Sequence, residues 1–129
     1  MKIVYIISSI NRKNSGNGGH YYSLLTTAEA LSQNNDVQII NIGTNKSFAL
    51  DTSKVKIIDI IERKANTLKL IYSLNKCIRE ISPDIVHAFD EFAFFYSRVV
   101  CFIRKVSIVL TKCGGPNPRY YYPYSSHFI

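Results

Sequence analysis

The sequence predicts an α/β domain with a three-layer, open and mostly parallel sheet in the strand order 3-2-1-4-5. Short continuous apolar runs alternate along the chain with longer segments of helical periodicity. A continuous apolar run, unlike an alternating one, is typical of a strand covered on both faces. Strands that alternate with helices imply right-handed crossovers and helices on both faces of the sheet. The 129 residues predict one domain and no internal repeat.

The first half of the chain predicts three strands and one helix. Residues 3–7 form an apolar run at the N-terminus, which indicates a central strand rather than a signal peptide. Helical spacing of leucine and alanine predicts a helix over about 19–33, and strands follow over 37–42 and 55–61. About eleven residues separate these two strands, barely enough for a parallel crossover, so the direction of the third strand stays open.

The second half predicts two helices and two strands. A helix spans about 66–81 and ends before Pro83, because the residue before a proline is pushed out of helical space. A strand over 85–89, a helix over about 91–104 and a strand over 106–110 follow, and the tail shows no periodicity. The apolar residues that define the two helices are Leu68, Ile71, Leu74, Ile78 and Ile81, and then Phe92, Phe95, Val99 and Phe102.

Composition and charge narrow the class of protein. With 47% apolar and 19% charged residues, and no apolar run of about 18 residues, the chain predicts a folded globular domain without a membrane span. Cys77, Cys101 and Cys113 fit neither an even disulfide framework nor a metal-ligand spacing, which favours a reducing cytoplasm. A net charge of +7 favours nucleotide phosphates or an acidic membrane surface, or is simply a solvated basic surface. No nucleic-acid-binding motif is present, so we expect no nucleic acid partner.

Glycine and polar residues follow the predicted strands at the edge where an open α/β sheet binds ligands. After the first strand, Gly18 and Gly19 would let a phosphate or sugar approach the amides at a helix N-terminus, beside His20. The alternative is that the glycines only permit a tight turn. The dinucleotide fingerprint fails, because Tyr21 occupies the third glycine position from Gly16. The phosphate-loop pattern is absent as well.

The fourth strand carries the candidate catalytic residues His87 and Asp90, with Glu91 next to them. In the predicted strand order they face the loop that carries Gly18 and Gly19, across the switch point of the sheet. A histidine there can bind hydroxyls or phosphates, or move a proton near neutral pH. The alternatives are a satisfied, partly buried histidine, a helix N-cap at Asp90 and a first-turn charge at Glu91.

The fifth strand ends on the same edge with further candidate ligand-binding residues, namely Thr111, Cys113, Gly114 and Gly115. Cys113 has Lys112 but no histidine among its sequence neighbours, which favours a small filler over a nucleophile. No metal-ligand spacing and no serine-histidine-aspartate order emerges, so we expect no metal site.

Together these segments resemble the N-terminal half of a family 4 glycosyltransferase. The resemblance covers the chain up to about Pro118. It is carried by the strand that starts at Met1, the Gly18-Gly19-His20 loop that opens a helix with Leu24 and Leu25, the Pro-Asp-Ile-Val-His-Ala strand over 83–88 and the Thr-Lys-Cys-Gly strand end over 111–114.

This resemblance implies a GT-B architecture, in which two Rossmann-like domains face each other across a cleft. It implies that the chain is the acceptor-side domain, while a C-terminal domain absent from this sequence holds most of the donor. Such enzymes transfer a sugar from a nucleotide-sugar donor to a lipid, glycan or small molecule, with retention and without a bound metal. We therefore expect no cofactor beyond the donor as substrate, and donor contacts at Gly18 and Gly19.

Two departures from the family accompany the resemblance. Cys113 stands where the family usually has a histidine, and no two glutamates are eight residues apart as in the family's C-terminal pair. We expect a truncated piece that is inactive alone, because half a cleft cannot preorganise both substrates. Uncovered surfaces would favour self-association into a homo-oligomer.

A non-catalytic flavodoxin-like or nucleotide-binding regulatory domain remains the alternative, because the same strand order serves both. A receiver domain would need acids after the first strand, where Ser8 and Ser9 stand instead. The expected location is cytoplasmic, and peripheral contact with an anionic membrane at its inner face stays open.

Overall fold

The computed structural model describes residues 1–8, 15–42, 55–60, 67–111 and 127–128. These residues form six strands and three helices along the chain. The elements are β1 (Lys2–Ile7), α1 (Ser15–Leu31), β2 (Asp36–Asn41), β3 (Lys56–Asp59), α2 (Thr67–Ile81), β4 (Ile85–Ala88), α3 (Glu91–Arg104), β5 (Ser107–Leu110) and β6 (His127–Phe128). None of the helices in this described part is long and apolar enough to cross a membrane.

All strand pairs in the sheet are parallel, in the order β3-β2-β1-β4-β5-β6. The predicted order 3-2-1-4-5 is therefore confirmed, and the open question about β3 is answered, since Ile39 pairs with Ile57 in parallel register. The two-residue strand β6 extends the sheet beyond β5 and was not predicted, because two residues are too few to show a periodicity.

The core lies on both faces of the sheet, which explains the continuous apolar strands. Alternate residues of β1 divide between the two faces, with Ile6 in the cluster beneath α2 and α3 and Tyr5 in the cluster beneath α1. Leu74 of α2 and Leu24 of α1 are fully buried in these two clusters. The sheet is thus the middle of three layers, as predicted.

Helix α1 begins at Ser15, about one turn earlier than predicted. Gly16, Gly18 and Gly19 therefore lie inside the first turns of the helix and not in a loop before it. Prediction from periodicity placed the start too late, because this segment has no apolar repeat and glycine disfavours helix by roughly 1 kcal/mol per residue.

Helix α3 has the predicted bounds but buries the opposite face. Phe92, Phe95, Val99 and Phe102 are all exposed, and the buried residues are Ala93, Phe94, Tyr96, Ser97, Val100 and Cys101. The helix is apolar on most of its circumference, so periodicity alone could not select the inner face. The small side chains of Ala93 and Ser97 lie on the inner face. In α2 the predicted core residue Leu68 is likewise 78% exposed, and Leu70 is buried instead.

Helix ends follow local chemistry. Helix α2 stops at Ile81 as predicted, two residues before Pro83, and the Ser82 amide donates to the Ile78 carbonyl at 2.8 Å. Helix α3 ends in a left-handed Lys105, whose amide donates to the carbonyl of Cys101.

Candidate functional site

The carboxyl ends of β1 and β4 are joined by the side chain of Asp90. Its Oδ2 accepts a hydrogen bond from the Ser8 amide at 2.7 Å, and its Oδ1 accepts one from the Ser8 hydroxyl at 2.6 Å. Ser8 directly follows β1, so the carboxylate fixes the point at which the chain leaves the sheet toward α1. This is the switch point of the sheet, where open α/β domains bind their ligands.

Asp90 is also the N-cap of α3. Its backbone is extended, and its Oδ1 accepts a hydrogen bond from the Ala93 amide at 2.7 Å. The sequence Asp90-Glu91 favours this role, because an aspartate before an apolar helix satisfies an otherwise unpartnered amide. The N-cap alternative is therefore confirmed, and Glu91 lies in the first turn of α3 as the second alternative expected.

His87 lies on the face of β4 that packs toward Tyr5 and Phe89. Its ring centroid is 4.8 Å from that of Tyr5 and 5.8 Å from that of Phe89. Its Nε2 lies 2.5 Å from the hydroxyl of Thr111, which directly follows β5. The structure thus brings together two residues that the sequence placed on neighbouring strands.

The charge state of His87 follows from its surroundings. Burial lowers the pKa of its imidazole from 6.5 to about 4, because a charged ring would lose its hydration among Tyr5 and Phe89. At neutral pH the ring is therefore uncharged and offers one donor and one acceptor nitrogen. This state suits a hydrogen bond to a hydroxyl better than proton transfer near pH 7, the other role considered for this residue.

The remaining predicted site residues fall in different parts of the chain. Gly18, Gly19 and His20 lie in the first turns of α1, the helix that follows Ser8. Cys113, Gly114 and Gly115 lie outside the described residues. The structure thus brings together His87 with Thr111, and Asp90 with Ser8, and we call these four residues the β1–β4 edge.

Two residues, one in the β1–β4 edge and one packed against it, were not predicted from the sequence. Tyr5 reads as an ordinary strand residue, and only the parallel register, which pairs it with His87, reveals the ring contact. For Ser8, the sequence indicated only that no acid follows the first strand. The signal available was its position as the first polar residue after an apolar strand, where a hydroxyl meets the next strand's carboxyl end.

The end of β2 carries a polar pair that links it to β3. The fully buried Asn41 donates from Nδ2 to Oδ1 of Asp59 at 2.9 Å, across the pairing of β2 with β3. Within the described ranges, no group of three or more histidine, cysteine or acidic side chains is arranged to hold a metal ion.

A parallel sheet in this order, with polar residues gathered at its switch point, defines a Rossmann-like α/β ligand-binding domain. Residues 15–119 match the family described as glycosyl transferase 4-like, and the chain belongs to that family. The resemblance inferred from the sequence is therefore confirmed.

One relative is a Campylobacter jejuni enzyme described as GalNAc-α-(1→4)-GalNAc-α-(1→3)-diNAcBac-PP-undecaprenol α-1,4-N-acetyl-D-galactosaminyltransferase. It is 26% identical over 116 residues, which cover 84% of this chain and 30% of the relative. The chain thus spans less than one third of the length of this enzyme.

Solved structures agree in fold. Acinetobacter baumannii MurG has a TM-score of 0.72 at 14% identity over 98% of this chain and 40% of its own. Anabaena HepE in complex with UDP has a TM-score of 0.72 at 14% identity over 99% of this chain and 37% of its own. At such identities the likeness shows the fold, here the Rossmann-like domain of GT-B proteins.

Proposed function

We propose that this chain forms the acceptor-side domain of a glycosyltransferase that takes its sugar from a nucleotide-sugar donor. The observation that carries the proposal is the β1–β4 edge, where Asp90 fixes Ser8 at the start of the connection to α1. The family membership supplies the reaction class. The rest of the transfer machinery, including the C-terminal donor domain, would lie in sequence that this chain does not contain.

The donor in this proposal is a UDP-sugar. HepE, which shares the fold, was solved with UDP. Amides in the first turn of a helix have no intrahelical partner, and the positive end of the helix dipole lies there, so the start of α1 favours a diphosphate. Gly18 and Gly19 lie in those turns and would let the donor approach the backbone closely. No cofactor and no metal take part, and the donor is itself a substrate.

The residues of the β1–β4 edge take separate roles. His87 would hydrogen-bond a sugar hydroxyl through its neutral imidazole, with Thr111 Oγ1 setting the ring orientation at 2.5 Å. Asp90 would act as a positioning residue, because its carboxylate accepts hydrogen bonds from Ser8 and Ala93. Cys113, Gly114 and Gly115 would complete the ligand-binding edge after β5.

The acceptor in this proposal is a lipid-linked glycan. The Campylobacter jejuni relative is described as acting on an undecaprenol-pyrophosphate-linked glycan. A lipid-linked acceptor requires the enzyme to work at a membrane surface, which the net charge of +7 favours when the lipids are anionic. The expected place is the cytoplasmic side, with peripheral contact at the inner face of the membrane. We propose homo-oligomerisation through uncovered surfaces only for the chain on its own.

Ligand binding by the purified chain tests the donor proposal. UDP, UDP-N-acetylglucosamine, UDP-glucose and flavin mononucleotide are titrated separately, with saturation-transfer NMR and thermal shift as readouts. We expect the chain to bind the UDP compounds and not the flavin. Binding of flavin mononucleotide alone would support the flavodoxin-like alternative and overturn the proposal.

A matched pair of variants on α1 locates the donor. Gly19→Ala adds a methyl group where the diphosphate would approach and also favours helix, so it should weaken UDP binding at least fivefold without loss of stability. Thr26→Ala, at an exposed position further along α1, should leave binding unchanged. Equal UDP binding by both variants would show that the donor does not contact α1 at Gly19.

A further inference from the structure

The outer face of α3 carries a stripe of exposed apolar side chains. Phe92, Phe95, Val99, Phe102 and Ile103, which we call the α3 stripe, have exposed fractions between 38% and 78%. Their spacing of three, four and seven residues places them on one side of the helix. At 1.5 Å per residue the stripe runs for about 16 Å along the helix axis.

Packing against the sheet does not require these side chains. The inner face of α3 already contributes the fully buried Ala93, Phe94 and Val100 to the core. A helix that is apolar on both faces is typical of one that is covered on both sides, and a contiguous exposed apolar patch marks an interaction surface. The α3 stripe therefore lacks a covering partner within the described residues.

The charge of α3 and of its neighbour α2 selects the partner. Helices α2 and α3 with the caps Asp90 and Lys105 carry six basic and three acidic residues, and Asp90 is bonded to Ser8. The basic residues are Lys69, Lys76, Arg79, Arg98, Arg104 and Lys105. The guanidinium of Arg98 lies 5.0 Å from the ring centroid of Phe95 at the border of the stripe. A second copy of this chain would bring like charges together, whereas an anionic surface would neutralise them.

We propose that the α3 stripe is the face by which this protein inserts shallowly into an anionic lipid bilayer. Aromatic rings favour the headgroup region of a membrane, and neighbouring lysine and arginine residues add attraction to anionic lipids. Arginine can keep its charged end among the headgroups while its stem covers apolar surface. Arg98, whose guanidinium lies over the ring of Phe95, stands at the right place for this role. The inference rests on the proposed function for its choice of a membrane-linked acceptor.

The placement of α3 connects this surface to the β1–β4 edge. The helix starts at Asp90, and Phe92 and Phe95 lie within its first two turns. Insertion of the stripe would therefore hold the carboxyl edge of the sheet close to the bilayer surface. An acceptor whose lipid stays in the membrane would then present its glycan end to the edge that carries His87.

Flotation with vesicles tests the proposal on the 129-residue chain. Vesicles of phosphatidylcholine alone are compared with vesicles containing 30% phosphatidylglycerol, at low and high salt. We expect binding to the anionic vesicles only, weakened by salt. The double variant Phe95→Ser with Phe102→Ser should reduce this binding at least tenfold. Tyr72→Ser, an equally exposed aromatic on α2, should change it less than twofold.

Circular dichroism confirms that each variant is folded, and UDP binding is measured on the same samples. Unchanged flotation by the double variant, or equal binding to neutral vesicles, would overturn the proposal. A dimer by light scattering that the double variant dissociates, without vesicle binding, would assign the stripe to a second copy and also overturn it. UDP binding without vesicle binding would leave the proposed function standing, and vesicle binding without UDP binding would contradict the donor proposal alone.

Discussion

The carboxylate of Asp90 accepts hydrogen bonds from both the amide and the hydroxyl of Ser8, at 2.7 and 2.6 Å, although 82 positions separate the two residues. The contact connects the ends of two adjacent parallel strands at the edge where ligands bind. Charge-assisted hydrogen bonds of this kind are among the stronger ones in proteins. Asp90 therefore contributes to stability and to the geometry of the site at once.

Replacing Asp90 should destabilise the domain clearly. Asp90→Ala removes the N-cap of α3 and both bonds to Ser8, and we expect a loss of about 3 kcal/mol in the free energy of unfolding. Ser8→Ala removes only the hydroxyl bond and should cost about 1 kcal/mol. Urea unfolding measures both, with Asp36→Ala at an exposed position as the control. Additive losses in the double variant would contradict a direct coupling between the two side chains.

Stability should depend on pH through His87. Burial lowers the pKa of its ring to about 4 in the folded state, against 6.5 for a free ring. Between these two pH values His87 binds a proton in the unfolded chain but not in the folded one. The free energy of unfolding therefore decreases as the pH falls from about 6.5 toward 4. Since solvent reaches the half-buried ring, we expect a loss of about 1 to 2 kcal/mol.

The variant His87→Gln separates this effect from the titration of other groups. It cannot titrate, so its free energy of unfolding should change less between pH 7 and pH 5 than that of the original chain. Urea unfolding at several pH values provides the measurement. Parallel pH profiles for the two proteins would show that His87 does not control the acid sensitivity.

Two leucines of α2 should differ sharply in their contribution to stability. Leu74 is fully buried, and Leu74→Ala should cost about 2 to 5 kcal/mol because it leaves a cavity in the core. Leu68 is 78% exposed, and Leu68→Ala should change the free energy of unfolding by less than about 0.5 kcal/mol. Chemical denaturation compares the pair. A large loss of stability for Leu68→Ala would mean that Leu68 is buried, as the sequence predicted.

Cys101 should be unreactive in the folded protein. Its side chain is 3% exposed, and burial raises the pKa of its thiol to about 12, so almost no thiolate is present at pH 8. A variant with Cys77→Ser and Cys113→Ser isolates this thiol for labelling with a chromogenic disulfide reagent. We expect labelling only after denaturant is added, and rapid labelling of the native variant would mean that α3 opens.

The sequence alone was enough for the class of fold, the strand order and the family. Buried parallel strands have to be apolar on both faces, and helices between them have to be apolar on one, so these features repeat visibly along the chain. The end of α2 before Pro83 and both ends of α3 were equally accessible, because proline geometry and an aspartate cap act within a few residues. Even the candidate residues His87, Asp90 and Thr111 could be found from their positions after predicted strands.

The contacts within the site, the direction of β3 and the inner face of α3 depend on contacts between distant segments. A hydrogen bond from Ser8 to Asp90, a ring contact from Tyr5 to His87 and the parallel direction of β3 depend on register and not on local pattern. The inner face of α3 was decided by which side chains fit against the sheet, because the helix is apolar nearly all round. Periodicity reports how a segment can be buried, but only the tertiary structure determines which of its faces is covered and what charge its residues carry there.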